Sequence, residues 1–156
     1  MTDTKTKAKI NTMKVTVING PNLNLLGSRE PEIYGYDTLD DIADRCVKRG
    51  KELNVDVNFV QSNYEGQLVE WVQQAINNVD AIIINAGAYT HTSVAIHDAL
   101  RAFNGYKIEL HISNPHARET FRHTSYVSLA TDAVVTGLGV DGYELCIEAL
   151  PSLLKQ

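Results

Sequence analysis

The chain has 156 residues, 44% of them hydrophobic, and a formal net charge of −5. Length and apolar content suit one packed domain and exclude a disordered chain. The acidic balance excludes a protein that tracks nucleic-acid phosphates over a basic face, while a few local arginines could still hold a small anion. In chain order, residues 1–12 (MTDTKTKAKINT) are polar, lack an apolar period and read as a flexible extension. VTVIN at 15–19 reads as a buried strand rich in β-branched residues. SREPEIYG at 28–35 reads as a loop, because Pro31 breaks a helix and Gly35 ends the run, and it carries Arg29 and Tyr34 together. Leu39, Ile42, Ala43, Cys46 and Val47 follow the helical period, and Thr38 with Asp41 has the spacing of a capping box. VDVNFV at 55–60 is the next strand, and Ser62 with Glu65 has the same capping-box spacing before Leu68, Val72, Ala75, Ile76 and Val79. AIIIN at 81–85, a helix through Ile96, Ala99, Leu100 and Phe103, KIELHI at 107–112 and AVVTG at 133–137 complete the alternation. A last helix is expected from about Tyr143, with Pro151 disturbing or ending it.

Five strands alternating with helices predict an open α/β parallel sheet with right-handed crossovers. The expected order is the flavodoxin-like 2-1-3-4-5, flanked by helices. In such sheets ligands bind at the carboxyl ends of the strands, near the switch point between strands 1 and 3. That rule ranks the polar residues. Asn22, Arg29 and Tyr34 follow strand 1; Asn85, Gly87 and His91 follow strand 3; His111, Ser113 and Asn114 follow strand 4. All three clusters are expected to converge on one pocket.

Several other patterns read as structure. GLGVDG at 137–142 matches G-x-G-x-x-G, but a dinucleotide site needs a further strand with an acid about twenty residues on. Only fourteen residues follow, so the glycines read as a tight turn into the last helix. The five histidines, His91, His97, His111, His116 and His123, form no metal-ligand spacing. His97 and His123 read as surface residues, whereas His111 ends an apolar strand beside the expected pocket. Cys46 and Cys146 lie on apolar helix stripes and read as small buried hydrophobes. No signal peptide or membrane span is seen, so a cytosolic location is expected. There is no G-x-S-x-G elbow and no P-loop, and Lys107 sits at the wrong end of its strand for a Schiff base. What the pocket offers is a phenol, arginines, an imidazole and amides, which suit proton transfer beside an anion.

VINGPNLNLLGSREPEIYG, NAGAYTHTSVAIHDAL and IELHISNPHARETFRHTSY resemble the type II 3-dehydroquinate dehydratases. The resemblance runs from Met13 to the last helix, with Ala86 where many relatives have proline, and it makes 13–156 a single catalytic domain. It implies a flavodoxin-like fold and cofactor-independent, metal-free elimination of water from 3-dehydroquinate to 3-dehydroshikimate, a step shared by aromatic biosynthesis and quinate breakdown. It also implies roles. Tyr34 matches the base, Arg29 its activator and His111 the general acid. Asn85, Ile112 and Ser113 match positions that hold the substrate, the last two partly through backbone N–H groups. His91, Arg122 and Asp98 match residues that bind its hydroxyls, with Asp98 supplied by a neighbouring subunit of a homo-oligomer, a dodecamer made of four trimers. Asn22, Glu109 and Arg118 match supporting residues. Two other readings are distinguishable: a flavodoxin-like module that binds a nucleotide or flavin, which would carry a chromophore, and a non-catalytic structural relative, which would lack Tyr34, Arg29 or His111.

The loop pairing has a physical rationale. A free tyrosine titrates near 10, so bringing a phenol to about 7 takes roughly 4 kcal/mol of preference for the charged form. An adjacent guanidinium supplies much of that once water is excluded, and it cannot itself lose the proton. On a loop, base and activator can move together over a bound substrate. Glu109 stands two residues before His111 on the same strand, so it shares a face with the imidazole and can orient it.

Overall fold

The computed structural model describes residues 11–155, with the side chain of Tyr34 outside that description. The extension expected at 1–12 therefore falls almost wholly outside the described residues. Strands β1 (Met13–Asn19), β2 (Val55–Gln61), β3 (Ala81–Asn85), β4 (Tyr106–His111) and β5 (Ala133–Thr136) form one sheet of order β2-β1-β3-β4-β5. Every neighbouring pair is parallel, as expected. Period-2 alternation sorts the strand residues onto two cores. Val15, Val17, Ala81, Ile83, Ile108 and Leu110 pack against helices α2 (Leu39–Glu52) and α5 (Asp141–Leu153), whose Ile42, Cys46, Cys146, Ile147 and Leu150 are buried. Ile18, Ile82 and Ile84 pack on the other face against α3 (Glu65–Ala75) and α4 (Val94–Ala102), through Leu68, Val72, Ile96 and Leu100.

The helix ends show where local signals win and lose. The Thr38–Asp41 capping box forms, with each side chain bonded to the other's backbone N–H at 3.2 and 2.9 Å. The box expected at Ser62–Glu65 does not form. Ser62 is still held to the sheet, its N–H donating to the Asn19 carbonyl at 3.0 Å. Its hydroxyl accepts from the Tyr64 N–H at 3.0 Å, and Tyr64 becomes the residue before the helix. Helix α3 ends at Ala75, so Ile76 and Val79 lie beyond it, although both still pack on the α3–α4 core.

Of two prolines, Pro31 acts differently from expectation and Pro151 takes the milder of its two expected effects. Residues Pro31–Tyr34 form a single helical turn, α1, rather than a loop. Proline is its first residue, where a missing N–H leaves nothing unpaired. Gly35 closes the turn, donating to the Pro31 carbonyl at 2.8 Å with φ 83°. Pro151 does not end α5, which runs on to Leu153. It lies in the last turn and removes one hydrogen bond, and the Leu154 N–H still reaches the Leu150 carbonyl at 3.0 Å.

The switch point between β1 and β3 is close-packed. Asn19 and Asn85 pair in register at the strand ends, and Gly20 donates to the Asn85 carbonyl at 2.8 Å. A β-carbon on Gly20 would lie 2.4 Å from the Ala86 carbonyl oxygen, so only glycine lets the chain leave β1 here.

Candidate active site

A cavity of about 260 Å³ opens at the carboxyl edge of the sheet. Asn22 and Arg29 line it from the β1 side; Asn85, Gly87 and His91 from the β3 side; His111, Ile112 and Ser113 from β4. Arg118 and Arg122, on the connection between β4 and β5, close it. The three expected clusters therefore converge, with named exceptions. Asn114 does not line the cavity; its side chain accepts from the His116 N–H at 3.1 Å and caps a short turn. Asp98 is exposed on α4 and does not line this cavity. Tyr34 is placed by its backbone at the end of α1, while its side chain is outside the described residues.

Asn85 sits in a polar chain at the floor. Its Nδ2 donates to the Tyr143 hydroxyl at 3.0 Å and its Oδ1 accepts from the Gly87 N–H at 3.2 Å. The Tyr143 hydroxyl donates onward to Asn19 Oδ1 at 2.7 Å, and Asn19 Nδ2 donates to the Val60 carbonyl at 3.1 Å. Burial pushes the Tyr143 phenol well above the ordinary tyrosine range, so it remains a neutral hydroxyl that holds the amides. Its helix turn is itself anchored: Arg45 on α2 reaches Asp141 at 2.6 Å and Glu144 at 2.5 Å.

His111 forms the β4 wall. Its Nε2 lies 2.7 Å from Glu109 Oε1, which is the orientation the strand period predicts. Glu109 is buried and does not line this cavity. Burial raises its carboxyl pKa, but hydrogen bonds from His111, Ser128 and Ser125 outweigh this and hold it below the usual carboxylate range. An ionised Glu109 keeps the Nε2–H on His111, so Nδ1 is the nitrogen that can serve a ligand.

His91 has the opposite tautomer logic. Its Nδ1–H donates to the Thr124 carbonyl at 2.8 Å, which leaves Nε2 to face a ligand hydroxyl as an acceptor. His97 also acts as a tie rather than a plain surface residue, its Nδ1–H donating to the Tyr126 carbonyl at 2.7 Å. His123 is exposed as expected and donates from Nε2 to the Arg118 carbonyl at 3.1 Å. Arg118 Nη1 lies 3.3 Å from Ser113 Oγ, and Arg122 Nε lies 2.7 Å from Glu119. With Arg29, whose Nε is 3.8 Å from Glu30, these guanidinium groups make the cavity suited to a small anion.

The GLGVDG segment serves the same edge. Gly137 and Gly139 take φ values of 81° and 63°. Their N–H groups donate to the carbonyls of His111 and Ile112 at 3.3 and 3.0 Å, fixing the backbone at the end of β4. The turn reading holds. Sequence reasoning missed Asn19, Tyr143, Ser125 and Ser128. For Tyr143 there was one signal, a phenol on an apolar stripe, which needs a partner once buried.

Fold and cavity together define a flavodoxin-like α/β protein with a cavity at the strand carboxyl ends lined by imidazoles, guanidinium groups and amides. The family model for dehydroquinase class II matches residues 13–151, and the chain belongs to that family, whose members are hydro-lyases. The 3-dehydroquinate dehydratase of Bartonella tribocorum is 53% identical over 140 residues, covering 90% of this chain and 94% of the relative. That of Bartonella henselae is 57% identical over 136 residues, covering 87% and 92%. The crystal structure of the type II dehydroquinase from Propionibacterium acnes superposes with a TM-score of 0.87 at 43% identity, covering 91% of this chain and 99% of that one. Among the described residues no helix is long and apolar enough to cross a membrane.

Proposed function

We propose that this protein removes water from 3-dehydroquinate to give 3-dehydroshikimate through an enolate, with Tyr34 as base, Arg29 as its activator and His111 as general acid. The observation that carries the reading is that His111, held by the buried Glu109 at 2.7 Å, lines the same cavity as Arg29, which stands five residues before Tyr34 in the chain. The substrate carboxylate docks on Asn85 and the backbone N–H groups of Ile112 and Ser113. His91, through Nε2, and Arg122 take its hydroxyls. Asn22 and Arg118 support the same site, Arg118 by steadying Ser113.

The proton inventory is simple. The Tyr34 phenolate takes the proton from the carbon beside the ketone, and the electron pair becomes the enolate, which hydrogen-bond donors stabilise. As the enolate collapses, the hydroxyl on the next carbon leaves and His111 gives it a proton from Nδ1. Water departs, Tyr34 is left neutral, and His111 is left with its Nε2–H on Glu109. Returning one proton to His111 and taking one from Tyr34 resets the site. Among the described residues no lysine lines the cavity, and the route runs without a covalent intermediate.

The assembly that suits this site is a closed homo-oligomer, a dodecamer of four trimers in the cytoplasm, in which Asp98 on the exposed side of α4 completes a neighbour's cavity. The test of the reaction uses the full chain and 3-dehydroquinate alone. Growth of the absorbance of the conjugated enone product is the expected result; a flat trace from folded protein would refute the assignment.

A further inference from the structure

Among the described residues Glu109 is the only buried carboxylate, at 1% exposure. An ionised carboxylate in that position needs partners. It has three. His111 Nε2 and the Ser125 hydroxyl both reach Oε1 at 2.7 Å, and the Ser128 hydroxyl donates to Oε2. Ser125 is itself fixed, its Oγ accepting from the Ser128 N–H at 3.0 Å.

These serines do not come from the strand. They stand on the connection between β4 and β5, which is stitched to the β3–α4 region. The Tyr126 N–H reaches the Thr90 carbonyl at 2.9 Å, His91 holds Thr124, and His97 holds Tyr126. The dehydration steps above give neither serine a task. Because Glu109 is ionised, it can only accept, so both hydroxyl protons point at it.

We propose that Ser125 and Ser128 are positioning residues that set the acid strength of His111, by dispersing the negative charge of Glu109 so that the imidazolium is held less tightly and releases its Nδ1 proton more readily. The proposal rests on His111 being the general acid. A carboxylate bonded to the imidazole alone would concentrate its charge on Nε2–H and make His111 a weaker donor. Glu109 stays ionised throughout: the proton passes from Nδ1 to the leaving oxygen and Nε2–H stays in place.

Other charges near the pair are unchanged by altering the serines. The front cavity contributes Arg29, His91, Arg118 and Arg122. A second cavity, lined by both Glu109 and His111, adds His116 and His123. Helix α4 carries His97 and Asp98. The strand neighbours of Glu109 and His111 are Ile84, Val134 and Thr136, none of which titrates.

The test reads His111 directly. Histidine labelled with carbon-13 is followed by NMR against pH in the intact protein, and His111→Asn identifies which of the five ring signals belongs to it. In Ser128→Ala the His111 midpoint should rise by about one unit. The alkaline limb of kcat should rise with it, kcat near neutrality should fall several-fold, and KM should stay level. Ser128→Thr, which keeps a hydroxyl, should bring both midpoints back. Ser125→Ala removes the other donor and decides the matter if Ser128→Ala does not fold. A midpoint unmoved or lowered in the alanine variants, even with a reduced Tm, would overturn the proposal, because it would leave the serines a purely structural role. A raised midpoint beside an unmoved kcat limb would support the serine coupling and fault the acid assignment of His111 instead.

Discussion

Tyr143→Phe removes one oxygen from a site with no access to water, since Tyr143 is 1% exposed. Two hydrogen bonds go with it, the 3.0 Å bond from Asn85 and the 2.7 Å bond to Asn19. Asn19 stays wholly buried at 0% exposure and Asn85, at 3%, meets water only at the cavity floor, so water offsets little of the lost bonding. Each orphaned buried polar group costs about 1–3 kcal/mol, which puts the pair near 3 kcal/mol after partial relaxation. At about 2–4 °C per kcal/mol for a chain of this size, Tm should fall by roughly 6–12 °C. Asn85 keeps only its 3.2 Å tether to the Gly87 N–H. Its free end then swings, so KM should rise more than kcat falls. The assay is urea unfolding at one fixed protein concentration, because assembly shifts apparent stability by mass action, together with steady-state kinetics. A loss below about 0.5 kcal/mol with KM unchanged would refute the reasoning, since surface-like changes have that size.

Further outcomes follow from the same geometry. Burial pushes the thiols of Cys46 and Cys146 up to about 12, so a thiol reagent should label neither in the native protein at neutral pH and both after unfolding. Glu109 has a depressed folded pKa, so its stabilisation is present above the unfolded glutamate value of about 4.3 and is lost as pH falls through the lower folded value. Wild type should be the more stable protein at neutral pH, and its margin over Glu109→Gln in urea unfolding should shrink across that acid window; a constant margin would contradict the linkage. Tyr34→Phe and Asp98→Asn, each impaired alone, should regain about a quarter of the sites when refolded together in equal amounts, as random closed rings require. No recovery, with mixed oligomers seen by native mass spectrometry, would place Asp98 in its own chain's site.

Much of this was legible because local pattern and tertiary role coincide. AIIIN is apolar on both sides because β3 is covered on both faces, so its bounds are the observed ones. His111 could be ranked because strand ends at the switch point are where open α/β sheets bind. What stayed hidden depends on contacts between distant segments. Ser125 and Ser128 meet Glu109 from 16 and 19 residues away, along a connection of short turns without a period. The Ser62 box failed because a sheet hydrogen bond claimed that residue first. Pro31 opens a turn instead of breaking one, since the effect of proline depends on its position in the turn.

The account stands most directly on one comparison, the turnover of 3-dehydroquinate by wild type and by Tyr34→Phe under identical conditions, with circular dichroism showing both folded. The account predicts that the variant loses all but a few per cent of kcat, since a general base contributes roughly 10²-fold or more. A variant that kept more than about a tenth of the wild-type kcat would contradict it.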